Sequence, residues 1–182
     1  MALMRATPQR FHIAATGNGS GVHVAAELFR SIARVESDVV HYRGGGPSVA
    51  ALVGGEVQVG LPTMASSISQ IRGGTLRALA VLAEHRTPVL PDVPAAPEAG
   101  LPGVILEEYF PILAPAHTPA PVVAALGEAF RAAIQQTAPR LAELAGVSPR
   151  AGYDTSAQVM ALIRASIEQQ TSILRAAGVQ PE

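Results

Sequence analysis

A glycine-rich turn between an apolar run and an amphipathic run is the stretch of this sequence best suited to chemistry. It reads TGNGSGVH over Thr16–His23, after the apolar run Phe11–Ala15 and before the run Val22–Arg34. This order predicts a strand, a turn and a helix, with the free backbone N–H groups of the helix start pointing out of the turn. The helix dipole adds positive potential at the same end. The turn is therefore predicted to attract an anion.

A second turn of the same kind follows the apolar run Asp38–Tyr42. Its residues 44–47 read GGGP, and a short helix is predicted after them over Ser48–Val53. Proline suits the first position of a helix, where no N–H donor is needed. The glycines leave the backbone of this turn open to a ligand, so the second turn is a second candidate for anion binding.

The elements that must position these turns alternate regularly along the first half of the chain. Such alternation with short connections predicts an α/β fold with a parallel sheet and covering helices. Because the strands of a parallel sheet point the same way, all strand-to-helix turns lie at one edge, where open α/β sheets bind ligands. The predicted strands are Phe11–Ala15, Asp38–Tyr42, Val57–Leu61 and Leu76–Leu82, the helices are Val22–Arg34, Ser48–Val53 and Ala65–Arg72, and the shared-edge turns are Thr16–Gly21, Arg43–Pro47 and Pro62–Ala65.

The second half of the chain reads differently. A proline-rich loop over 83–103 leads into an extended segment, Val104–Leu113, and then into helices. Thr118 as N-cap and Pro119 as the first helical residue start a helix to about Gln136. A separate short helix is predicted over Pro139–Ala145, and Thr155 with Gln158 forms a capping-box pair that opens a last helix to about Ala177. The pattern divides the chain into residues 1–10, a tail or the end of a helix broken by Pro8, an α/β stretch over 11–103, and an extended segment with helices over 104–182.

Composition excludes several functional classes. The 182 residues carry a net charge of −1, which does not fit a nucleic-acid partner, and they contain no Cys, so neither disulfides nor thiolate chemistry are available. No apolar run approaches the length of a membrane span. Nothing in the sequence implies a cofactor.

Catalysis and purely structural glycines are the alternatives to anion binding. Glycine in such a turn is often only a device for positive φ or close packing. Ser20 with His23 or His41 is a candidate nucleophile and base, and Glu107 with Glu108 a candidate acid/base pair. However, no Gly-x-Ser-x-Gly elbow surrounds the serine, adjacent glutamates on an extended segment face opposite ways, and the histidines lack metal-ligand spacing. The dinucleotide fingerprint and the phosphate loop are also missing. We therefore predict no catalytic residue and no metal site.

Several motifs together resemble one known family. They are GNGSGVHVAAEL at 17–28, HYRGGGPSVAALVGGEVQVG at 41–60, GGTLRALAVL at 73–82, LPDVPAAPEAGLPG at 90–103 and LAPAHTPAPVV at 113–123. In order and spacing they resemble the solute receptors of tripartite tricarboxylate transporters, the Bug periplasmic binding proteins. The resemblance runs from about residue 11 to the C-terminus.

This resemblance implies a function and a site. It implies two α/β lobes of the type 2 periplasmic-binding-protein fold that close on a small carboxylate, a periplasmic location, and membrane transporter subunits as partners. It makes 11–103 the ligand-binding lobe, and 104–182 a crossover segment, Val104–Leu113, with C-terminal helices that belong to the other lobe. His23 is equally compatible with a capping or packing role, and Tyr42 with a core position. The ligand-facing residues implied by position are Thr16, Gly19, Ser20, His23, Tyr42, Gly44, Gly45 and Gly46.

Three departures from the family qualify these expectations. Family members are longer, so part of the other lobe and the signal peptide are expected to be missing, which would leave the chain in the cytoplasm if Met1 is the true start. Gln58 and Pro62 replace acidic residues, which disfavours an amino-acid ligand. The family's WxG motif reads Tyr109-Phe110-Pro111. The crossover segment is then expected to lack packing partners, which predicts self-association, disorder after about residue 104, or a separate chain that supplies the other lobe. A truncated, non-functional receptor fragment is the remaining alternative.

Overall fold

The strand that leads into the first glycine turn lies at the centre of a three-stranded parallel sheet. The computed structural model describes residues 1–153 and 155–179. The central strand β1 (His12–Thr16) pairs with β2 (Asp38–Tyr42) on one side and with β3 (Val59–Gly60) on the other. In this register Ile13 lies opposite both Val39 and Val59. The predicted parallel arrangement of these strands is confirmed, and it brings their carboxyl ends to one edge.

Alternating side chains of β1 divide the core into two layers. Ile13 and Ala15 are fully buried in a large cluster with Val22, Ala26 and Phe29, whereas Ala14 faces a smaller cluster on the other side of the sheet. Successive residues of a strand point to opposite faces, so a strand buried on both faces must be apolar throughout. The apolar run before the glycine turn is therefore the sheet's centre.

In the described part of the chain, six α-helices flank the sheet or follow it. Helix α2 covers the larger cluster through its buried face, which includes Val22, Ala26 and Phe29. Helix α3 contributes Ala51 to the smaller cluster on the opposite face. Helices α5 and α6 bury no residue fully. The helices are α1 (Ala2–Ala6), α2 (Gly21–Ala33), α3 (Gly45–Gly54), α4 (Met64–Arg72), α5 (Ala120–Ala145) and α6 (Ser156–Ala176).

The N-terminal residues fit the broken-helix alternative better than the tail. Helix α1 ends before Pro8, and a 3₁₀ turn spans Pro8–Arg10. Met4 is buried in the larger cluster, and the Arg5 guanidinium donates to the Ala33 carbonyl at 2.8 Å. This stretch is thus packed against the end of α2.

Two strand predictions were wrong in extent. The expected fourth strand, Leu76–Leu82, is an irregular segment whose sheet-like pairing is a single bridge between Val81 and Ala95. The third strand comprises only Val59–Gly60 instead of Val57–Leu61. Val57 is nevertheless buried, so the apolar signal there reported burial rather than pairing.

Two helix predictions in the second half were also wrong. Helix α5 continues through Pro139 to Ala145, where a break into two helices was expected. It begins one residue later than expected, with Pro119 at the N-cap, because Thr118 Oγ1 donates back to the Pro115 carbonyl at 2.8 Å instead of capping the helix. By contrast, the predicted capping box of Thr155 and Gln158 is confirmed at the start of α6. Within the described residues, no helix combines the length and apolarity that a membrane crossing needs.

Candidate functional site

The first glycine turn is held by side chains of its own residues. Ser20 is the N-cap of α2, and its Oγ accepts a hydrogen bond from the His23 backbone N–H at 3.2 Å. The Thr16 hydroxyl lies 2.7 Å from the same oxygen. Gly19 adopts a φ of 73°, a conformation that glycine tolerates best. The turn is therefore a fixed structure that presents the start of α2 at the sheet edge.

His23 supports this turn from below. Its Nδ1 accepts a hydrogen bond from the Gly19 N–H at 3.1 Å, so the ring proton belongs on Nε2, which lies 3.7 Å from the Glu27 carboxylate. His23 and Glu27 are only 3% and 6% exposed, and Arg30 pairs with Glu27 at 2.9 Å. Burial, together with the neighbouring His41 ring, lowers the pKa of His23 below its ordinary value. A ligand-facing role and a capping or packing role were considered for His23, and these contacts are those of a capping and packing residue.

The second turn lies beside the first. The His41 Nδ1 lies 2.9 Å from the Thr16 carbonyl and so ties the end of β2 to the first turn. Gly44 has a φ of 105°, and its N–H donates to the Tyr42 carbonyl at 2.9 Å. Tyr42 is half-buried and packs against the smaller cluster, which is the core position considered for it. Gly46 is exposed, with open space where a side chain would be.

The third turn brings another helix start to the same edge. Thr63 caps α4, and its Oγ1 accepts from the Ser66 N–H at 3.3 Å. A side-chain carbon placed on Gly45 would lie 2.9 Å from Ser66 Cβ, so the starts of α3 and α4 are in close contact. The turn was predicted from the sequence but neither side chain was, although a threonine three residues before a serine at a helix start is a recognisable capping signal.

The crossover segment adds an acidic group to this edge. A side-chain carbon placed on Gly21, the first residue of α2, would lie 3.1 Å from Oε1 of Glu108. Partial burial raises the pKa of the Glu108 carboxyl above its ordinary value. The preceding residue faces elsewhere, since Glu107 accepts hydrogen bonds from Arg150 and from Tyr109. Sequence reasoning placed the two glutamates on opposite faces but did not associate Glu108 with the glycine turns.

These contacts do not form the nucleophile arrangements considered from the sequence. The Ser20 hydroxyl contacts Thr16 and the backbone of His23, while the His23 ring nitrogens face Gly19 and Glu27. A nucleophilic serine needs a base in contact with its hydroxyl. Over residues 1–153 and 155–179, no cluster of three or more His, Asp or Glu side chains could hold a metal ion. What the edge offers is backbone N–H groups and helix dipoles, which suit an anion that is bound and released unchanged.

A separate cavity of about 230 Å³ lies between the crossover segment and α6. Its lining contains Glu107, one of the two glutamates considered as an acid/base pair, but none of the predicted ligand-facing residues. The lining residues are Ile105, Leu106, Glu107, Tyr109, Ser166, Gln169 and Gln170.

Comparison with known proteins gives a consistent result. A family model described as "Tripartite tricarboxylate transporter family receptor" matches residues 1–179. Protein BugT of Bordetella pertussis is 32% identical over 138 residues, which cover 76% of this chain and 42% of BugT. The chain thus spans less than half the length of this relative.

Two solved structures from Rhodopseudomonas palustris, both 27% identical to this chain, overlay on it closely. Rpa4515 with adipate matches with a TM-score of 0.92 over 100% of this chain and 60% of that one. MatC (Rpa3494) with bound malate matches with a TM-score of 0.81 over 95% of this chain and 60% of that one. These overlays confirm the α/β fold class predicted from the sequence.

Proposed function

Because the chain belongs to the tripartite tricarboxylate transporter receptor family, we propose that it forms the part of a solute receptor that binds a small carboxylate. The observation that supports this most directly is the sheet edge, where the starts of α2, α3 and α4 lie side by side. Each start contributes unpaired N–H groups and the positive end of a helix dipole. A carboxylate there needs no basic side chain.

Two turns are the proposed contacts of the carboxylate. The first comprises Thr16, Gly19 and Ser20, with His23 beneath it as the residue that fixes Gly19. The second comprises Gly44, Gly45 and Gly46, with Tyr42 packed behind it. The names of the solved relatives give adipate and malate as their bound molecules. Linear dicarboxylates are accordingly the ligands to try first.

Calorimetric titration with adipate, malate, succinate and citrate tests this proposal, and Gly46→Asp provides the site control. Gly46 has open space around it and lies in the first turn of α3, where an acidic side chain favours the helix dipole. The new carboxylate should therefore leave the fold intact but repel the ligand, and we expect at least about tenfold weaker binding. The isosteric, neutral Gly46→Asn should bind nearly as the wild type does. Silence from all four acids, or equal affinity in Asp and Asn variants, would contradict the proposal.

Family membership also supports a periplasmic location and delivery of the ligand to membrane transporter subunits. Both are properties proposed from the family, since the two solved relatives are longer proteins, of which this chain covers 60%. We assign this chain a receptor role and no catalytic one. Chemical crosslinking in membranes that contain the transporter, with and without the acid that binds, would test the partnership.

A further proposal concerns the apolar surface of the second half. Val122, Leu126 and Phe130 are spaced four residues apart on α5 and are 47%, 42% and 42% exposed. Phe110, within the crossover segment, is 64% exposed. An apolar stripe of this length on a helix is usually covered by another surface. We propose that a second copy of the chain covers the α5 stripe, which is defined by Val122, Leu126 and Phe130.

A further inference from the structure

We propose that Glu108 selects among carboxylates by accepting a hydrogen bond from a donor group that the ligand carries next to its bound carboxylate. The inference rests on the proposed carboxylate site and assigns it a specificity-determining residue. It predicts a preference for acids with a hydroxyl or ammonium group over plain dicarboxylates.

Glu108 lies beside the first residue of α2. Its Oε1 would be 3.1 Å and its Cγ 3.4 Å from a side-chain carbon placed on Gly21. Gly21 begins α2 and directly follows Ser20, the N-cap of the first turn. The carboxylate of Glu108 is therefore beside the helix start at which a ligand carboxylate would bind.

Glu108 is held in this position by contacts of the residues before and after it in the crossover segment. On one side Val104 is fully buried, and the Leu106 N–H donates to the Leu82 carbonyl at 3.2 Å. On the other side Glu107 and Tyr109 are both bound by Arg150, which donates to the Tyr109 hydroxyl at 2.7 Å. Glu108 lies between these attachments, so its direction is set by the segment and not by a contact of its own.

The Glu108 carboxylate is a hydrogen-bond acceptor for which the described residues supply no donor. Among the described residues, none donates a hydrogen bond to its carboxylate or forms an ion pair with it. A carboxylate occupying the anion position itself would accept bonds from the N–H groups of α2. The side chain is exposed, so water solvates this carboxylate in the free protein. A ligand bound at the adjoining turn would exclude part of that water, and a donor on the ligand would then replace the lost hydrogen bonds.

The consequence depends on what the ligand places near Glu108. A second negative group or a bare methylene there would displace water from the exposed carboxylate without replacing its hydrogen bonds, which costs binding energy. A hydroxyl or ammonium group there forms a charge-assisted hydrogen bond. The interpretation that disfavoured an amino-acid ligand relied on Gln58 and Pro62, whereas Glu108 supplies a carboxylate from a different element.

Succinate, malate and aspartate form a matched set of probes, because they share a four-carbon chain and differ at one carbon in hydrogen, hydroxyl or ammonium. We expect the wild type to bind malate or aspartate at least about tenfold more tightly than succinate. In Glu108→Ala the ratio of the affinity for malate or aspartate to the affinity for succinate should fall to about one. Removal of the charge strengthens succinate binding, while loss of the acceptor weakens binding of the acid that carries the donor. Preference for aspartate alone identifies an ammonium donor, and preference for malate alone a hydroxyl.

Two variants keep the outcome interpretable. Glu56→Ala removes an exposed carboxylate that precedes β3, at the opposite edge of the sheet, and should leave the ratio unchanged. The isosteric Glu108→Gln should repeat the loss of preference for an ammonium ligand. A merely structural effect of Glu108→Ala would weaken all three acids alike and preserve the ratio, which would overturn the inference while leaving the proposed function intact. If none of the three acids, nor adipate or citrate, binds the wild type, the proposed function fails and the inference fails with it.

Discussion

At the residue scale, the first turn depends on a neutral histidine beneath it. The Nδ1 of His23 must be unprotonated to accept the Gly19 N–H. Protonation would place two donors against each other and add a charge to a buried site. The Glu27 carboxylate favours that charge, but burial, His41 and Arg30 oppose it, and the net effect on the pKa of His23 is downward.

This lowered pKa predicts that acid destabilises the protein through His23. Between the ordinary pKa of 6.5 and the lower value in the folded protein, the unfolded chain binds a proton that the folded chain does not. The free energy of unfolding therefore keeps its full His23 contribution above the ordinary pKa and loses it as the pH falls towards the folded-state value. In His23→Asn, whose amide oxygen can accept the Gly19 N–H without titrating, this part of the pH dependence should disappear.

Urea denaturation of both proteins between about pH 8 and pH 5 measures the effect, since the other titrating groups are common to both. The wild type should lose more stability over this range than the variant does. Parallel stability curves for the two proteins would contradict the prediction that His23 lowers the free energy of unfolding as the pH falls.

At the element scale, the close approach of α3 to α4 makes Gly45 and Gly46 unequal although they are neighbours. A methyl group on Gly45 would lie 2.9 Å from Ser66 Cβ, whereas one on Gly46 would meet nothing within 4 Å. Gly45→Ala should therefore force the two helix starts apart and lower the free energy of unfolding by about 1–3 kcal/mol. Gly46→Ala, which gains helix propensity, should be neutral or stabilising by up to about 1 kcal/mol.

Chemical denaturation of the two alanine variants compares them directly. Since both changes add the same methyl group to the first turn of the same helix, their difference isolates the contact with Ser66. Equal stabilities for the two variants would mean that α4 is not held against α3 as described.

The glycine turns could be predicted from the sequence, but the structure of the run Leu76–Leu82 could not. The turns at residues 16–21 and 44–47 were predictable because glycine, proline and serine have direct backbone roles. The run Leu76–Leu82 was not, because an apolar pattern reports burial, while a strand also needs an unpaired neighbour in register. In the described sheet β2 and β3 are the outer strands, and Val81 pairs with neither of them but with Ala95 of the proline-rich loop.

Pro139 and Glu108 show two further limits. Proline disfavours helix interiors, yet α5 continues through Pro139, whose missing N–H costs the helix one hydrogen bond. Glu108 reaches the first turn from a segment more than eighty residues later in the chain, a contact that no local pattern could predict.

At the scale of the whole molecule, the two halves of the chain bury their apolar residues very differently. Helix α2 has eight buried residues, whereas α5, which is twice as long, has none. The α5 stripe is consequently the surface on which the proposed self-association depends.

Light scattering and sedimentation at rising protein concentration should show a species larger than the monomer. Phe130→Glu, at one end of the α5 stripe, should shift the population towards the monomer, because a buried charge opposes an apolar contact. Ala124→Glu makes the same change of charge on the opposite side of α5 and should have little effect. A monomer at every concentration, with a single cooperative melting transition, would contradict the proposal.

The strand order β2-β1-β3 has a consequence for synthesis on the ribosome. The central strand β1 precedes both of its neighbours, and residues 12–72 contain all three strands of the described sheet and the starts of α2, α3 and α4, where the carboxylate is proposed to bind. Connections within this stretch are short, so loop closure is fast and little chain must be ordered at once. The sheet edge can thus assemble while α5 and α6 are still being translated, and Glu108 would join it only after the two glycine turns are in place.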